Sequence, residues 1–265
     1  MLQDRQNLLK QQSQPEDRIA LAKALDQAAF CAKNHEAAFT DFIDAHHAAQ
    51  FETLLSSLSA DGLLVRSFGG VPDAERKMLG FFQDYTQPTD EDFPITPLRL
   101  RYDAKFAEGL THRDFLGATL GAGIRRELVG DIAVMPSQTV LFVHSSIADY
   151  LCGALDKVKR LRVEAEHCPA EDLFVFTTDK PRVRLTVASL RLDAVAGAAF
   201  NLSRGQIAAL AQADKLLLNW TAAKATAQVA PGDMVTLRGT GRARIVEVLG
   251  ETKKERMAIV LERYI

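Results

Sequence analysis

The side chains best suited to chemistry in this chain of 265 residues are arginines near its C-terminal end. Arg191 and Arg204 each stand near the start of a short helical pattern, Leu190 to Ala198 and Arg204 to Gln212. Ser203 precedes the second pattern and can cap it, with Asn201 as the alternative cap. The first turn of a helix presents N–H groups without helical partners and the positive end of the dipole. A guanidinium placed there adds a two-pronged grip on a phosphate. Lys215 leads into Leu216-Leu217-Leu218, a buried strand closed by the turn residue Asn219. After a turn at Val229–Asp233 and a strand at Met234–Leu237, Arg238, Arg242 and Arg244 cluster around Gly239 and Gly241. Glycine permits close backbone approach, and three guanidiniums beside it suit a nucleic-acid backbone. A single arginine is more often solvated or paired with a carboxylate such as Asp193, and a glycine turn with charged flanks is common. It is the ordered set Arg191, Ser203-Arg204, Lys215 and Asn219 that points to RNA. Lys253-Lys254-Glu255-Arg256 is a weaker signal, because mixed-charge loops are usually just solvated.

Charge agrees with that placement. The whole chain has a net charge of −2, but residues 187–265 hold 11 Lys+Arg against 7 Asp+Glu, leaving 21 against 27 in residues 1–186. A basic end on an acidic chain suggests a polyanionic partner for that end. With 47% apolar and 25% charged residues the composition is that of a folded protein. Cys31, Cys152 and Cys168 form no C-x-x-C pair, so free thiols in a reducing cytosol are expected rather than a disulfide framework or a zinc site. The polar, Gln-rich start is no signal peptide, and no apolar run reaches the ~18–20 residues that span a bilayer.

The elements that must position these residues read as an α+β, multidomain chain. Residues 16–33 have helical spacing, and a second helix is expected from about Glu36 to Leu58, with a break near His46-His47. Leu63 to Phe68 reads as a strand ended by Gly69-Gly70, and Pro72 to Lys77 as a turn into a short helix. The proline- and acid-rich stretch Thr86 to Pro97 reads as a linker. Strand Leu98–Tyr102 follows. A helix then opens at Thr111 with Asp114 at the capping-box position. Asp131–Pro136 and Thr139–Val143 form a hairpin, Ile147–Val158 a helix, and Arg160–Glu166 a last strand. That is the ferredoxin-like β-α-β-β-α-β order used by many RNA-recognition domains. Those domains stack bases on strand aromatics, whereas Thr139–Val143 offers one aromatic and no basic pattern, so base stacking is not expected there. Phe174, Phe176 and Val183–Val187 continue the sheet or lead into the last domain. The expected division is a mainly helical domain at 1–90, a ferredoxin-like (RRM-like) domain at 91–186 and an RNA-binding domain at 187–265.

Signs of an enzyme are weak. Gly117, Gly121 and Gly123 lie in a helical pattern and read as close helix packing rather than a cofactor turn. There is no P-loop and no nucleophile elbow. His46 and His47 diverge by about 100° on a helix and cannot chelate together. His144-Ser145-Ser146 with Asp149 is better read as a strand end with a capping serine than as a triad, and His112 with Asp114 as capping and packing. No cofactor, metal or small-molecule substrate is expected. Because RNA-binding modules of this kind are often fused to RNA-modifying enzymes, a methyltransferase or pseudouridine synthase is the alternative. An adaptor docking through its acidic N-terminal part is a third reading.

Arg191-Leu192-Asp193, Ser203-Arg204, Lys215 and Leu218-Asn219 resemble the alpha-L RNA-binding motif, named for ribosomal small-subunit protein S-four. Together with Ala74-Glu75-Arg76-Lys77, Thr111 to Ala118, Gly123 to Ile132 and Leu249 to Lys254, they closely resemble the YlmH family of bacterial ribosome-associated proteins, from about Gly69 onward. The resemblance implies a cytoplasmic, non-enzymatic RNA-binding protein. It implies as partners the rRNA of the large subunit, peptidyl-tRNA and quality-control proteins, with no membrane. It also implies a part in ribosome-associated quality control by alanine tailing, with links to cell division, and RNA contacts at Arg191 and Arg204. Two positions depart from the motif. Asp214 stands where Gly is usual and must accept a left-handed backbone. Trp220 stands where Gly usually follows Asn219, and it offers an indole to stack on a base or pack on the ribosome.

Overall fold

The computed structural model describes residues 5–10, 15–56, 62–72, 74–173, 182–219, 221–252 and 255–264. They fall into two compact units, 1–177 and 178–265.

The first unit begins with α1 (Arg5–Lys10) and α2 (Pro15–Asn34). α2 buries Leu21, Ala24, Leu25, Ala28 and Cys31, while Ile19, which shares the helical apolar spacing, is 60% exposed. The expected second helix is shorter than the sequence suggests. Residues up to 44 form β1 (Ala38–Phe39) and β2 (Ile43–Asp44), and only then does α3 (Ala45–Leu55) begin. Asp44 sets that boundary, because its carboxylate accepts the His47 N–H at 2.9 Å and caps the helix. β3 (Leu63–Phe68) lies where expected. The turn into a helix at Pro72–Lys77 is instead the lead into β4 (Arg76–Gln83), in which every residue from Met78 to Gln83 is buried. Both faces of β4 are covered: Leu79 and Phe81 pack toward α2 and α3, Met78 and Phe82 toward Phe42 and Phe93. A short strand buried on both faces has no alternation, so periodicity cannot separate it from a helix. β4 pairs antiparallel with β3 on one side and with β1 and β2 on the other.

Thr86–Pro97 is no linker. Phe93 is 4% exposed and its ring lies 5.4–5.9 Å from those of Phe39, Phe68 and Phe82. Ile95–Pro97 already belong to β5 (Ile95–Arg101). Then come α4 (His112–Gly121), β6 (Val129–Val134), β7 (Gln138–His144), α5 (Ala148–Ala154), β8 (Lys157–Val158), β9 (Leu161–Arg162) and β10 (Glu164–His167). The capping box is present: Asp114 accepts the Thr111 N–H at 2.9 Å. The second helix is shorter than expected because 157–162 fold as a hairpin, β8–β9. β5, β6, β7 and β10 make an antiparallel sheet in the order β10-β5-β7-β6, so the first and third strands are central and the fourth and second are outer. That is the arrangement which a split β-α-β-β-α-β chain closes. Gly117 and Gly121 do not serve close packing, since a Cβ at either would meet open space. Gly123 takes φ +85°, which explains glycine there.

The expected boundary near residue 90 is bridged by polar ties. Arg76 donates to the carbonyls of Val129 (2.9 Å) and Phe42 (2.7 Å), while Asp131 accepts the N–H groups of Glu75 (2.7 Å) and Arg76 (3.0 Å). The Phe42 N–H donates to the Glu127 carbonyl at 2.9 Å.

The second unit starts with β11 (Arg182–Val187), so Val183–Val187 belong here and not to the preceding sheet. Phe174 and Phe176 lie outside the described residues. α6 (Leu192–Phe200) and α7 (Arg204–Gln212) are followed by β12 (Leu216–Leu218), β13 (Thr221–Ala222), β14 (Met234–Leu237), β15 (Gly241–Glu251) and β16 (Met257–Tyr264). The antiparallel sheet runs β11-β16-β15-β14-β12-β13. Its core joins Leu192, Val195 and Ile207 of the helices to Val235, Ala243, Ile245, Ile259 and Leu261 of the strands, all fully buried.

Candidate nucleic-acid interface

α6 and α7 meet with their N-terminal ends contributing to one charged cluster. Asp193, in the first turn of α6, has a side chain only 9% exposed. Arg191 engages it with both prongs, Nη2 at 2.7 Å and Nε at 3.2 Å. Arg204 brings Nη2 to 4.0 Å from the same carboxylate. The hydrogen bonds from Arg191, then the charges of Arg191 and Arg204, hold the Asp193 carboxyl below the usual carboxylate range against the opposing effect of burial. Arg191 is therefore not free to swing outward. Its fork is set in place by Asp193, whereas Arg204, with 55% of its side chain exposed, has most of its donors to offer.

Arg256 is the member that sequence reading set aside. It donates to the Thr186 carbonyl at 2.8 Å, and it borders with Asp193 and Arg204 a cavity of about 280 Å³. Only the pairing of β11 with β16, far apart in sequence, brings it there. Lys253 and Lys254 lie outside the described residues.

Backbone donors differ between the two helix starts. At α6 the N–H groups of Leu192 and Asp193 donate to the Ala227 and Ala225 carbonyls, both at 2.8 Å, so that end is closed by a loop. At α7 Ser203 and Gln206 form a capping box, with the Ser203 N–H donating to Gln206 Oε1 at 2.8 Å. The Ser203 hydroxyl is spent on this cap. The N–H groups of Arg204 and Gly205 have no partner among the described residues, and they point to α7 as the open anion-facing end.

The remaining sequence-selected residues sit elsewhere in the unit. Lys215 lies past the far end of α7, about 13 Å along a nine-residue helix. Its carbonyl accepts the Arg238 N–H at 2.9 Å, so Lys215 and Arg238 are neighbours. Asp214 just before it takes φ +53°, the left-handed backbone expected of the residue that replaces Gly. Arg242 and Arg244 alternate with the buried Ala243 and Ile245, which face the helices, and so lie on the opposite face of the sheet. Asn219, at φ +49°, is a bracket: its amide donates to Asp233 at 2.8 Å and its oxygen accepts the Met234 N–H at 2.9 Å. Trp220 lies outside the described residues.

The family profile described as "Putative RNA-binding domain in YlmH" matches residues 88–172, which hold the sheet of β5, β6, β7 and β10. Over 250 residues, 94% of this chain and 95% of the relative, the sequence is 30% identical to the "Ribosome-associated protein quality control protein P2" of Bacillus subtilis (strain 168). The chain belongs to the YlmH family. A solved YlmH structure, the "Cell division protein ylmH from Streptococcus pneumoniae", superposes with a TM-score of 0.52 at 28% identity, covering 63% of this chain and 98% of that one.

The candidate catalytic groups of this YlmH-family chain are engaged otherwise. Ser146 bonds His144 Nδ1 through its N–H (3.1 Å) and hydroxyl (2.8 Å), while Asp149 pairs with His167 at 2.8 Å, so the His144, Ser146 and Asp149 side chains do not form a relay. His47 bridges Asp44 (2.7 Å) and Asp17 (2.8 Å). Among the described residues no group of three or more His, Cys, Asp or Glu side chains is arranged to hold a metal ion, and no helix is long and apolar enough to cross a membrane.

Proposed function

We propose that this chain is a cytoplasmic, non-catalytic RNA-binding factor of the large ribosomal subunit. It recognises subunits carrying a stalled peptidyl-tRNA and supports alanine tailing in ribosome-associated quality control. The observation that carries this reading is the pair Arg191 and Arg204 on one buried carboxylate, with Arg256 on the adjoining cavity, beside the open N-terminal end of α7. Two guanidiniums, Arg191 and Arg204, lie against Asp193, and Arg204 and Arg256 border the adjoining cavity of about 280 Å³, which leaves excess positive charge there. A backbone phosphate fits that chemistry. The Bacillus subtilis relative's name, a ribosome-associated quality control protein, supports the assignment. In this reading residues 187–265 act as an alpha-L module, with Lys215 and Arg238 as a second backbone contact and Arg242 and Arg244 facing another strand or a ribosomal protein.

The test is co-sedimentation with separated 30S and 50S subunits, with and without peptidyl-tRNA. Retention on 50S, strengthened by peptidyl-tRNA and lost in Arg191→Ala/Arg204→Ala, is the expected result. Equal retention on both subunits, or an unaffected double variant, would overturn it. The cell-division name of the Streptococcus pneumoniae structure favours a second reading, an adaptor. That reading would show as a cell-division phenotype in variants that still bind 50S.

A further inference from the structure

RNA-recognition folds stack bases on the open face of their four-stranded sheet. In this chain that face is shut. Leu98, Leu100, Leu141 and Val143 point into the core shared with α4 and α5. The opposite face carries Val140 and Phe142, 0% and 1% exposed, beside Ile95 of β5 and packed against Val71 and Leu173. Gly70 sits so close that a Cβ there would overlap the Phe142 ring. If the 88–172 region binds RNA, it uses another surface.

One surface has the required chemistry. Between the segment 103–110 and the β8–β9 hairpin lies a groove of about 960 Å³. Leu110 and Leu161 line it, Phe106 stands 72% exposed at it, and Lys159, Arg160 and Arg162 outweigh Asp103 in its charge. The hairpin accepts two costs to carry those cations. Lys159 takes φ +53° in a two-residue turn, where Gly, Asn or Asp is favoured. Lys157 and Arg162 stand directly opposite in register, a like-charge pairing that weakens a hairpin. Lys159 is tied to Asp114 at 2.6 Å, which pins the hairpin to α4, while Arg160 and Arg162 have no ionic partner among the described residues. An anion in the groove would relieve that repulsion.

We propose that this groove holds an unpaired RNA nucleotide, its base stacked on Phe106 and its flanking phosphates on Arg160 and Arg162. The inference rests on the RNA-binding reading above and adds a base contact to it. An acidic protein segment would satisfy the cations but would leave the exposed ring and the apolar floor without a flat partner; an aromatic ring between cations suits a nucleotide.

The full-length protein is titrated with fluorescein-labelled oligouridine, ten nucleotides long, and in parallel with 50S subunits. Phe106→Ala is expected to weaken oligouridine binding about tenfold, and Phe106→Tyr to restore it. Arg160→Ala/Arg162→Ala is expected to shrink the salt slope by about 1.4. Photocrosslinking with 5-iodouridine is expected to label Phe106. Oligouridine affinity unchanged in Phe106→Ala, with 50S binding intact in all groove variants, would overturn the groove and leave the RNA-binding reading standing. Loss of 50S binding with unchanged oligouridine affinity would assign the groove to a ribosomal protein and also overturn the proposal. Wild-type protein that binds neither oligouridine nor 50S would overturn both.

Discussion

Arg204 has charge to give away and Arg191 has little, although the sequence treats them alike. Replacing Arg204 by Ala should weaken 50S binding and lower the salt slope by about one unit with the fold intact. Arg191→Ala should weaken 50S binding with a smaller change in salt slope and, by stripping the buried Asp193 carboxylate of its bidentate partner, also lower the melting temperature. Asn219 belongs to the structural side of the ledger. Asn219→Ala should cost about 1–3 kcal/mol through the left-handed backbone and two lost side-chain bonds, measured by urea unfolding, with RNA affinity retained below the melting point. His47 gives a pH signature. Hydrogen bonding to Asp44, then Asp17, raises its pKa from 6.5 to about 9 against the effect of burial. A folded value above the unfolded one means the stabilisation is complete below pH ~6.5 and disappears as pH rises through ~9. The difference in melting temperature between wild type and His47→Ala should accordingly be largest near pH 6 and shrink by pH 10. The identities and order of Arg191, Ser203, Arg204 and Lys215 were readable in the chain. Asp193, two residues from Arg191, was readable as a partner too, whereas Arg256 arrives only through strand pairing.

Amphipathic elements with caps were legible and doubly buried ones were not. α7 has the predicted limits because Ser203 and Gln206 mark its start. α4 is predicted by Thr111 and Asp114. β4 was misread because apolar side chains on both faces erase the period of two, and Phe93 was lost among prolines and acids. That misreading makes Phe93 diagnostic. Phe93→Ala should destabilise the first unit by about 3–5 kcal/mol, an aromatic-core penalty rather than a linker's near-zero one, read by chemical denaturation. The long β15 and β16 escaped sequence reading altogether, since β15 is interrupted by irregularities at 245–247 and 248–250 that break its alternation.

At the scale of the whole chain, the two compact units make a clear demand. A fragment of residues 178–265 owns a complete core and should fold alone, giving a cooperative melt and dispersed amide resonances. A fragment of residues 1–90 should not, because Arg76 and Phe42 rely on carbonyls at 129 and 127 and on Asp131 beyond its end. Sequence reading placed a boundary at 90 from composition, and composition cannot see hydrogen bonds formed across it.

The Arg76–Val129 tie also sets a schedule. Its partners are 53 residues apart, and at ~5–20 residues per second the chain is synthesised for about 3–10 s after Arg76 before Val129 exists. Through that interval Phe42 has left the peptidyl-transferase centre without Gly130, against which its ring packs. The nascent N-terminal segment is thus exposed to proteases and holding chaperones at a stage set by translation speed, and slowing elongation between codons 90 and 130 should lower the yield of folded protein.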